Sequence, residues 1–452
     1  MMPRLLMLAL TLAMGATAEF KLAPFNVETT VPIGHALMGG GIKPADRVVD
    51  PLFARGVVLL GGEKPVVLIS IDWCEIRNDA YDRFREVVAE AAGTARDHVL
   101  ISSVHVHDAP IVDFTAQKLL DAHGLPKALC DSALAEAQYQ KVANAIRESI
   151  PSAQTITHYG TGAGTAIELA CNRRVKMEDG TVHYNRTSAT ADPVLRAAEA
   201  GDHDQVLRTL SFWNGDTPIA ALHAFSIHPM SYYGKGGVSA DFVGMARHLR
   251  ATEQPGVLQV YFSGCSGDTI AGKWNDGNPA NRSVLAKKLH AAMVEAWNAT
   301  TKHPLDSIRV RVAAMHLEPK TSKGYSEAEM QAVLADSNAK TFTRILAAMG
   351  LSWRMRVAAG QAIDVPAVDF GKAKFLLMPA ESFVGYQLMA QQLDPENFVI
   401  TAGYGESAPG YIPTAFASSE GFNDAHDWNW VAPTVEEPMK RAMAEALGVT
   451  QP

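Results

Sequence analysis

Side chains of the types that bind metals stand at the ends of short apolar segments, and this pattern constrains the fold more than any other feature. His105, His228 and Glu381 each follow such a segment directly, and Tyr411 lies in the loop after another. Strand ends brought together at one edge of a sheet are a usual place for a binding site. Zinc in hydrolases is bound by histidine nitrogens and a carboxylate, with one position left open for water. The pattern predicts a β-sheet protein with a metal site at its strand ends.

The clearest case is the segment 99–110, in which an apolar run ends in two histidines separated by one residue. The run predicts a buried strand. Residues i and i+2 of a strand point to the same face, so a strand that persists to His107 would place His105 and His107 in one pocket. Pro110 then ends the strand. Two converging imidazoles fit a metal site, or a metal ligand with a substrate-orienting partner. The alternative is a pair of polar loop residues.

The rest of the chain alternates strand and helix patterns. Two strands, an amphipathic helix that ends at Gly93 and the strand before His105 follow one another, which suggests a sheet with a crossover connection. We expect an α+β or α/β fold of stacked, mostly mixed β-sheets flanked by helices, in one large domain. The predicted strands are 55–60, 66–71, 207–213, 219–227, 257–262, 308–317, 374–378 and 398–402, and the predicted helices are 79–92, 132–150, 281–297 and one from a capping box at Ser326 towards Gly350.

Composition narrows the functional class. The chain has 452 residues, of which 47% are hydrophobic, and this leaves ample core for one large domain or two to three smaller ones. The formal net charge of −8 and the absence of a basic run argue against a nucleic-acid-binding protein. Up to two disulfides could form in an oxidising compartment, but four cysteines are too few for disulfides to be the basis of this fold. The cysteines are Cys74, Cys130, Cys171 and Cys265.

The N-terminus predicts a secretory signal peptide over residues 1–18. Arg4 precedes an apolar run over residues 5–13, and the small-residue pattern Ala16-Thr17-Ala18 follows it. The apolar run is too short to span a membrane comfortably, and the sequence has no other stretch that is long and apolar enough for a transmembrane segment. We therefore expect a secreted or periplasmic protein, cleaved after about Ala18. An N-terminal core helix is the alternative interpretation.

Eight short motifs resemble, in the same order, those of the neutral (non-lysosomal) ceramidase family, specifically its N-terminal catalytic domain. Each motif is weak alone, but their shared order over nearly the whole mature chain makes the resemblance specific. The motifs are Asp50-Pro51-Leu52-Phe53-Ala54-Arg55, Ser103-Val104-His105-Val106-His107-Asp108-Ala109-Pro110, Cys171-Asn172-Arg173-Arg174, His228-Pro229, Ser239-Ala240-Asp241-Phe242, Gly267-Asp268, Leu377-Met378-Pro379-Ala380-Glu381 and Gly410-Tyr411-Ile412-Pro413-Thr414.

The resemblance implies a neutral-ceramidase-like catalytic domain over residues 19–452 that uses Zn²⁺. The implied zinc ligands are His105, His228, Glu381 and Tyr411. His107 and Arg173 would lie beside the metal and hold the polar head of the substrate. The implied reaction is hydrolysis of the N-acyl amide bond of ceramide, or of a related N-acylated amphiphile, by water that zinc activates near neutral pH. His107 or Tyr411 would stabilise the oxyanion. The partner would be a small-molecule or lipid amide, reached by peripheral contact with a membrane.

Full-length members of the family carry a C-terminal immunoglobulin-like domain, and this chain ends too early to hold one, so we expect a short bacterial-type member.

Two other functions stay open. Ser266 lies in Gly264-Cys265-Ser266-Gly267-Asp268, which half resembles the nucleophile turn of a serine hydrolase, although Asp268 stands where that motif needs glycine. The other is a secreted, non-catalytic binding protein with a metal pocket. Metal analysis and an assay of N-acyl hydrolysis would separate the three.

Overall fold

The computed structural model describes residues 19–450, except for the side chains of Asp424 and Ala425. Three β-sheets share an inner apolar core, and helices pack on their other faces. The predicted class, an α+β arrangement of stacked mixed sheets with flanking helices, is confirmed. The predicted signal peptide over residues 1–18 lies outside the described residues.

Each of the three sheets mixes parallel and antiparallel pairing. In spatial order, the strands of the first sheet are Val99–Ser103, Val66–Ile71, Phe53–Leu60, Lys21–Glu28 and Gln154–Thr155. Those of the second are Leu258–Ser263, Thr217–Phe225, Val206–Asn214, His158–Thr165 and Thr301–Pro304. Those of the third are Arg309–Met315, Ile363–Asp369, Ala373–Leu377 and Phe398–Ala402.

Short strand pairs and helices complete the described part of the chain. The short pairs are Arg47–Val48 with Gly237–Val238, Glu75–Ile76 with Ile111–Val112, Cys171–Asn172 with Thr269–Ile270, Val175–Lys176 with Val182–His183, and Glu381–Ser382 with Tyr411–Ile412. The α-helices are Asn78–Ala92, Phe114–Ala122, Ser132–Ser149, Pro193–Ala197, Asp241–Glu253, Asn281–Asn298, Glu327–Ala335, Thr341–Ala358, Val384–Leu393, Ala415–Ser419, Phe422–Ala425 and Glu436–Leu447. The 3₁₀ turns are Met38–Gly40, Arg96–His98 and Ile150–Ser152.

The inner core lies between the three sheets and is built from aliphatic and aromatic strand residues. Leu68 and Leu100 come from the first sheet, Phe212 and Val260 from the second, and Phe375 from the third. All five are at most 1% exposed. Because full burial of one such side chain contributes roughly 1.5–3 kcal/mol, this cluster holds the three sheets against one another.

Each sheet contains one parallel pair of strands, and the carboxyl ends of the three pairs meet. The Ser103 backbone N–H donates to the carbonyl oxygen of Tyr404 at 3.0 Å, which joins the first sheet to the third. The Gly403 N–H donates to the carbonyl oxygen of Ser263 at 2.7 Å, which joins the third sheet to the second. Loops that leave strands in all three sheets therefore face one common region, as the strand-end pattern predicts.

One helix prediction is wrong. Ser326 forms the predicted capping box and opens the helix Glu327–Ala335, but the sequence predicted a single longer helix, and a second helix, Thr341–Ala358, begins after a turn. The Asp336 carboxylate accepts a hydrogen bond from the Asn338 backbone N–H at 2.9 Å. Such local side-chain bonds compete with continuation of a helix, and this one accounts for the break.

The other predicted strands and helices begin and end within two residues of the expected positions. The predicted hairpin between residues 206 and 225 turns at Gly215, whose φ of 56° lies in the left-handed region that glycine tolerates.

All four cysteines are buried and free, so the structure contains none of the disulfides that the sequence allowed. Among the helices of residues 19–450, none combines the length and the apolar character needed to cross a bilayer.

Candidate metal centre

His105 and His107 lie in one pocket, as predicted, but not because a strand continues to His107. The strand ends at Ser103, and His105 has a φ of 68° in the left-handed region, so no strand persists to His107. The His105 backbone N–H donates to the carbonyl oxygen of Trp73 at 2.9 Å, which ties the turned backbone to the loop after the neighbouring strand. The two imidazoles meet edge to face, with ring centroids 4.9 Å apart.

His228 enters the same pocket from the second sheet. It follows the strand Thr217–Phe225 and is fully buried. Its backbone N–H donates to the carbonyl oxygen of Thr269 at 2.8 Å, and its Nδ1 lies 2.5 Å from the carbonyl oxygen of Ser266. These two contacts fix the ring so that its Nε2 faces the pocket.

Glu381 and Tyr411 are direct register partners in a short parallel pair of strands. Ala380, with a φ of 47°, turns the chain after the third-sheet strand that precedes it. The Glu381 backbone N–H then donates to the carbonyl oxygen of Gly410 at 3.0 Å. This pairing brings the carboxylate and the phenol, which are thirty positions apart in the sequence, to the same side of the pocket.

Three buried ligand atoms converge at the centre of this pocket. The Glu381 Oε2 lies 3.0 Å from the His228 Nε2 and 3.4 Å from the His105 Nε2. All three residues are at most 2% exposed. The group could hold a metal ion, since its ligand atoms all lie within 4.8 Å of one another.

The hydrogen bonds around the two imidazoles test whether these residues fit a metal. The Nδ1 of His105 lies 3.0 Å from the carbonyl oxygen of Cys74, as the Nδ1 of His228 lies beside that of Ser266. A carbonyl oxygen only accepts, so each Nδ1 carries a proton, and a neutral ring presents a bare Nε2 to the Glu381 carboxylate. Two lone-pair donors facing a carboxylate repel one another unless a proton or a cation lies between them. Hydrogen bonds from the outer nitrogen to backbone carbonyls are typical of metal-binding histidines. The donor set therefore fits a metal cation.

The charges of His228 and Glu381 agree with this fit, and the raised pKa of His105 shows that the Glu381 carboxylate attracts positive charge to the same place. Burial, together with the Arg173 charge, lowers the pKa of His228 to about 4, so this ring is neutral near pH 7. Burial also favours the neutral form of His105, but the Glu381 carboxylate outweighs it and raises the pKa of His105. Burial alone would raise the pKa of Glu381, yet His105 and His228 hold it well below its ordinary value. An ionised carboxylate beside a neutral imidazole leaves a negative charge that a bound cation would balance.

His107 stands beside this group with one ring nitrogen unused. Its Nε2 lies 3.3 Å from the Nε2 of His105, whereas its Nδ1 is buried and lacks a hydrogen-bond partner among residues 19–450. Burial, with the charges of His105 and His228, holds the pKa of His107 well below its ordinary value. A neutral ring with a free Nδ1 can bind a polar atom of a substrate.

Arg173 and Tyr411 meet at the edge of the group formed by His105, His228 and Glu381. The Arg173 Nη2 donates to the Tyr411 hydroxyl at 3.3 Å, while its Nε donates to the carbonyl oxygen of Gly267 at 3.1 Å. Burial raises the pKa of the Tyr411 hydroxyl, although Arg173 opposes the shift and the Glu381 carboxylate adds to it. The structure thus brings together all six residues singled out in the sequence, namely His105, His107, Arg173, His228, Glu381 and Tyr411.

Tyr404 is a residue of the site that sequence reasoning missed. Its ring stacks on the His105 imidazole, with centroids 4.2 Å apart and planes 18° from parallel. Its hydroxyl lies 2.7 Å from the Ser266 Oγ. Tyr404 comes two residues after a predicted strand, so the strand-end pattern could have indicated it, but a tyrosine there is typical of core packing. The Ser266 hydroxyl contacts this tyrosine rather than a histidine, so it lacks the base that a nucleophilic serine needs.

No protein-family model matches the sequence, and no curated protein matches it. Solved structures do match. A ceramidase complexed with C2 aligns with a TM-score of 0.66 and 14% sequence identity, over 95% of this chain and 75% of that one. The neutral ceramidase from Pseudomonas aeruginosa aligns with a TM-score of 0.64 and 13% identity, over 95% of this chain and 74% of that one. The chain therefore has a neutral ceramidase-like fold.

Proposed function

We propose that the protein is a zinc-dependent amidohydrolase that cleaves the N-acyl amide bond of ceramide or of a related N-acylated amphiphile. The observation that carries the proposal is the convergence of the His105 and His228 Nε2 atoms on the Glu381 carboxylate. The fold likeness to two ceramidases supports the choice of a lipid amide as the substrate class. Such a substrate would be reached by peripheral contact with a membrane.

Four residues would hold the metal. His105, His228 and Glu381 offer two imidazole nitrogens and a carboxylate oxygen, which are donors that zinc prefers, and Tyr411 would be the fourth ligand. When bound, zinc would supply Lewis acidity, which lowers the pKa of a water molecule to about 7 and polarises an amide carbonyl. The backbone carbonyls at Cys74 and Ser266 would keep both rings in the tautomer that leaves Nε2 free.

Arg173 would stabilise the negative charge that develops on the amide carbonyl oxygen. Its guanidinium is fixed by the Gly267 carbonyl, and its Nη2 lies beside the Tyr411 hydroxyl at the edge of the metal-binding group. A preorganised donor at such a position acts in the transition state without having to reorganise. Because the side chain is 8% exposed, its charge is poorly screened by water.

His107 would bind the polar head of the substrate. A neutral imidazole has one donor nitrogen and one acceptor nitrogen, and the Nδ1 of His107 has no protein partner among the described residues. This nitrogen can accept a hydrogen bond from the amide N–H, or take up a proton from the attacking water and pass it to the departing amine. Tyr233, whose ring packs edge to face on His107 with centroids 5.0 Å apart, would hold the imidazole in place.

The decisive experiment combines metal exchange with an assay of amide hydrolysis. The purified protein would be stripped with a chelator, reloaded with zinc and offered N-acyl sphingoid bases, N-acyl ethanolamines and N-acyl amino acids, with release of acid and amine followed together. We expect activity to vanish with the chelator and to return with zinc. Full activity in the metal-free protein would contradict the zinc site. Stoichiometric zinc with no cleavage of any N-acyl compound would favour a non-catalytic metal-containing binding protein.

Export is the second part of the proposal. It is supported by the basic, apolar and small-residue pattern of residues 1–18. N-terminal sequencing of protein recovered from outside the cytoplasm should give a start near Glu19. Recovery of exported protein with residues before Ala18 still attached would contradict the predicted cleavage.

A further inference from the structure

A histidine outside the six residues singled out in the sequence lies at the edge of the candidate metal centre. The ring of this residue, His426, packs edge to face on that of Tyr411, with centroids 5.4 Å apart. The Tyr411 ring in turn lies 6.3 Å from that of His228, so Tyr411 links His426 to the imidazole of a proposed metal ligand. His426 is therefore close enough to the candidate metal centre to contact a ligand that binds there.

The position of His426 is fixed from two directions. Its ring stacks on Phe422, with centroids 4.3 Å apart and planes 21° from parallel. The Nζ of Lys320, a side chain that is 4% exposed, donates to the carbonyl oxygen of His426 at 3.2 Å and also to that of Asn423. A ring held in this way loses little conformational freedom when it binds a ligand.

The ring nitrogens of His426 are unused and accessible. Neither has a hydrogen-bond partner among the described residues, because the side chains that donate to this residue, Lys320 and Tyr325, both reach its backbone carbonyl oxygen. The side chain is half-buried, and neither ring nitrogen is shut off from solvent, unlike the Nδ1 of His107. A ligand that enters the candidate metal centre can therefore reach them.

The surroundings of His426 favour its neutral form. Burial lowers the pKa of His426 to about 4, while the Arg173 charge adds to this shift and the Glu381 charge opposes it. A neutral imidazole has one donor nitrogen and one acceptor nitrogen. A hydroxyl group can pair with either nitrogen, because it both donates and accepts, whereas an ammonium group only donates and a carboxylate only accepts.

We propose that His426 is a specificity-determining residue that binds a hydroxyl group on the amine part of the substrate. The inference rests on the proposed function for the kind of ligand, an N-acyl amide, whose acyl chain is apolar and whose hydroxyl must therefore belong to the amine. N-acyl sphingoid bases and N-acyl ethanolamines carry such a hydroxyl close to the amide nitrogen, whereas N-acyl amino acids carry a carboxylate there. A site built to pair with a hydroxyl group discriminates against an analogue that lacks it.

The test measures the binding of two ureas to the purified, zinc-loaded mature protein by calorimetry. N-heptyl-N′-(2-hydroxyethyl)urea mimics an amide of ethanolamine, and N-heptyl-N′-propylurea has a methyl group in place of the hydroxyl. Both resist hydrolysis, so binding is measured without turnover. In His426→Phe, which keeps the stacked ring but loses both nitrogens, the ratio of the two dissociation constants should shift roughly tenfold against the hydroxyethyl compound. The matched control is His248→Phe, at an exposed histidine of the helix Asp241–Glu253, which should leave the ratio unchanged.

A second variant, His426→Leu, also removes both nitrogens and keeps the proposal testable if His426→Phe does not fold. It should shift the ratio in the same direction, whereas a purely structural role of His426 would weaken the binding of both ureas alike. An unchanged ratio in both variants, or no binding of the hydroxyethyl urea to the wild type, would overturn the proposal. Binding with the expected shift but without cleavage of N-octanoylethanolamine would refute the proposed hydrolysis and leave the assignment of His426 intact. Cleavage with an unchanged ratio would do the reverse.

Discussion

The side-chain hydroxyl groups of Ser266 and Tyr404 lie 2.7 Å apart, and both residues are fully buried. The Tyr404 ring stacks on the His105 imidazole, and the Ser266 carbonyl oxygen accepts a hydrogen bond from the His228 Nδ1. One hydrogen bond thus joins the two residues that orient the two imidazoles of the candidate metal centre. We infer from this arrangement that Ser266 positions the two imidazoles and is not a nucleophile.

We expect the Ser266→Ala variant to keep its activity within roughly tenfold of the wild type, since it loses only a contact outside the proposed metal ligands. It also leaves the Tyr404 hydroxyl buried without its partner, which should cost about 1–3 kcal/mol in free energy of unfolding. Steady-state kinetics and denaturant titration measure these two effects. A serine-directed phosphonate should leave activity unchanged. Stoichiometric labelling of Ser266 with matching inactivation would instead favour a serine hydrolase.

Two substitutions of Tyr404 separate its ring from its hydroxyl. Tyr404→Phe keeps the ring that stacks on His105 and should leave metal affinity close to that of the wild type. Tyr404→Leu removes the stacked ring, frees the imidazole to rotate and should weaken metal binding roughly 10- to 100-fold. Competition with a chelator of known affinity measures the metal affinity. The visible spectrum of the cobalt-substituted protein reports the geometry of the ligands. Equal affinities in the two variants would show that the ring does not position His105.

The convergence of His105, His228 and Glu381 could be predicted from the sequence, because each follows an apolar run that marks a strand. The structure places their ligand atoms together. The left-handed backbone of His105 could not be predicted, since it depends on a hydrogen bond to the Trp73 carbonyl in another loop. Nor could the pairing of Glu381 with Tyr411, because no periodic pattern marks a strand pair of two residues on each side.

Removal of a metal ligand should abolish metal binding without loss of the fold. Glu381→Gln keeps the shape of the side chain but removes the charge that faces both Nε2 atoms, so metal content should fall close to zero. Elemental analysis after gel filtration measures the metal content, and circular dichroism checks that the variant is folded. Glu420→Gln is the matched control, because Glu420 pairs with Arg174 outside the proposed metal site. Full metal content in Glu381→Gln would show that the metal site is assigned wrongly.

Changes to His107 and Arg173 should separate metal binding from turnover. Arg173→Met and His107→Ala remove groups that contact the proposed metal ligands but are not expected to bind the metal, so metal content should be kept. Loss of a donor that stabilises an oxyanion costs about 10²–10³ in kcat, and we expect a loss of that size from Arg173→Met. Arg174→Met is the matched control at the neighbouring position. Loss of zinc from the Arg173→Met variant would instead assign Arg173 to the metal site.

The buried carboxyl group of Glu406, which lies outside the proposed metal site, should make the stability of the protein depend on pH. Its Oε1 accepts hydrogen bonds from the backbone N–H groups of Asn78 at 2.8 Å and Ala408 at 2.9 Å, and its Oε2 lies 3.7 Å from the Arg356 Nη1. Burial raises the pKa of Glu406 to about 7, although Arg356 opposes the shift and Asp82 adds to it. The carboxyl group is therefore neutral in the folded protein under mildly acidic conditions.

Because the folded pKa of Glu406 lies above its ordinary value of 4.5, the folded protein keeps a proton over a range in which the unfolded chain has released it. The contribution of Glu406 to stability must then fall as the pH rises from about 4.5 to about 7, by up to about 3 kcal/mol. Glu406→Gln keeps the accepting oxygen and removes the titration. The unfolding free energy of the wild type minus that of Glu406→Gln should therefore decrease by about this amount between about pH 5 and about pH 8. A difference that is the same at both values would show that Glu406 is ionised throughout in the folded protein, with Arg356 compensating its charge.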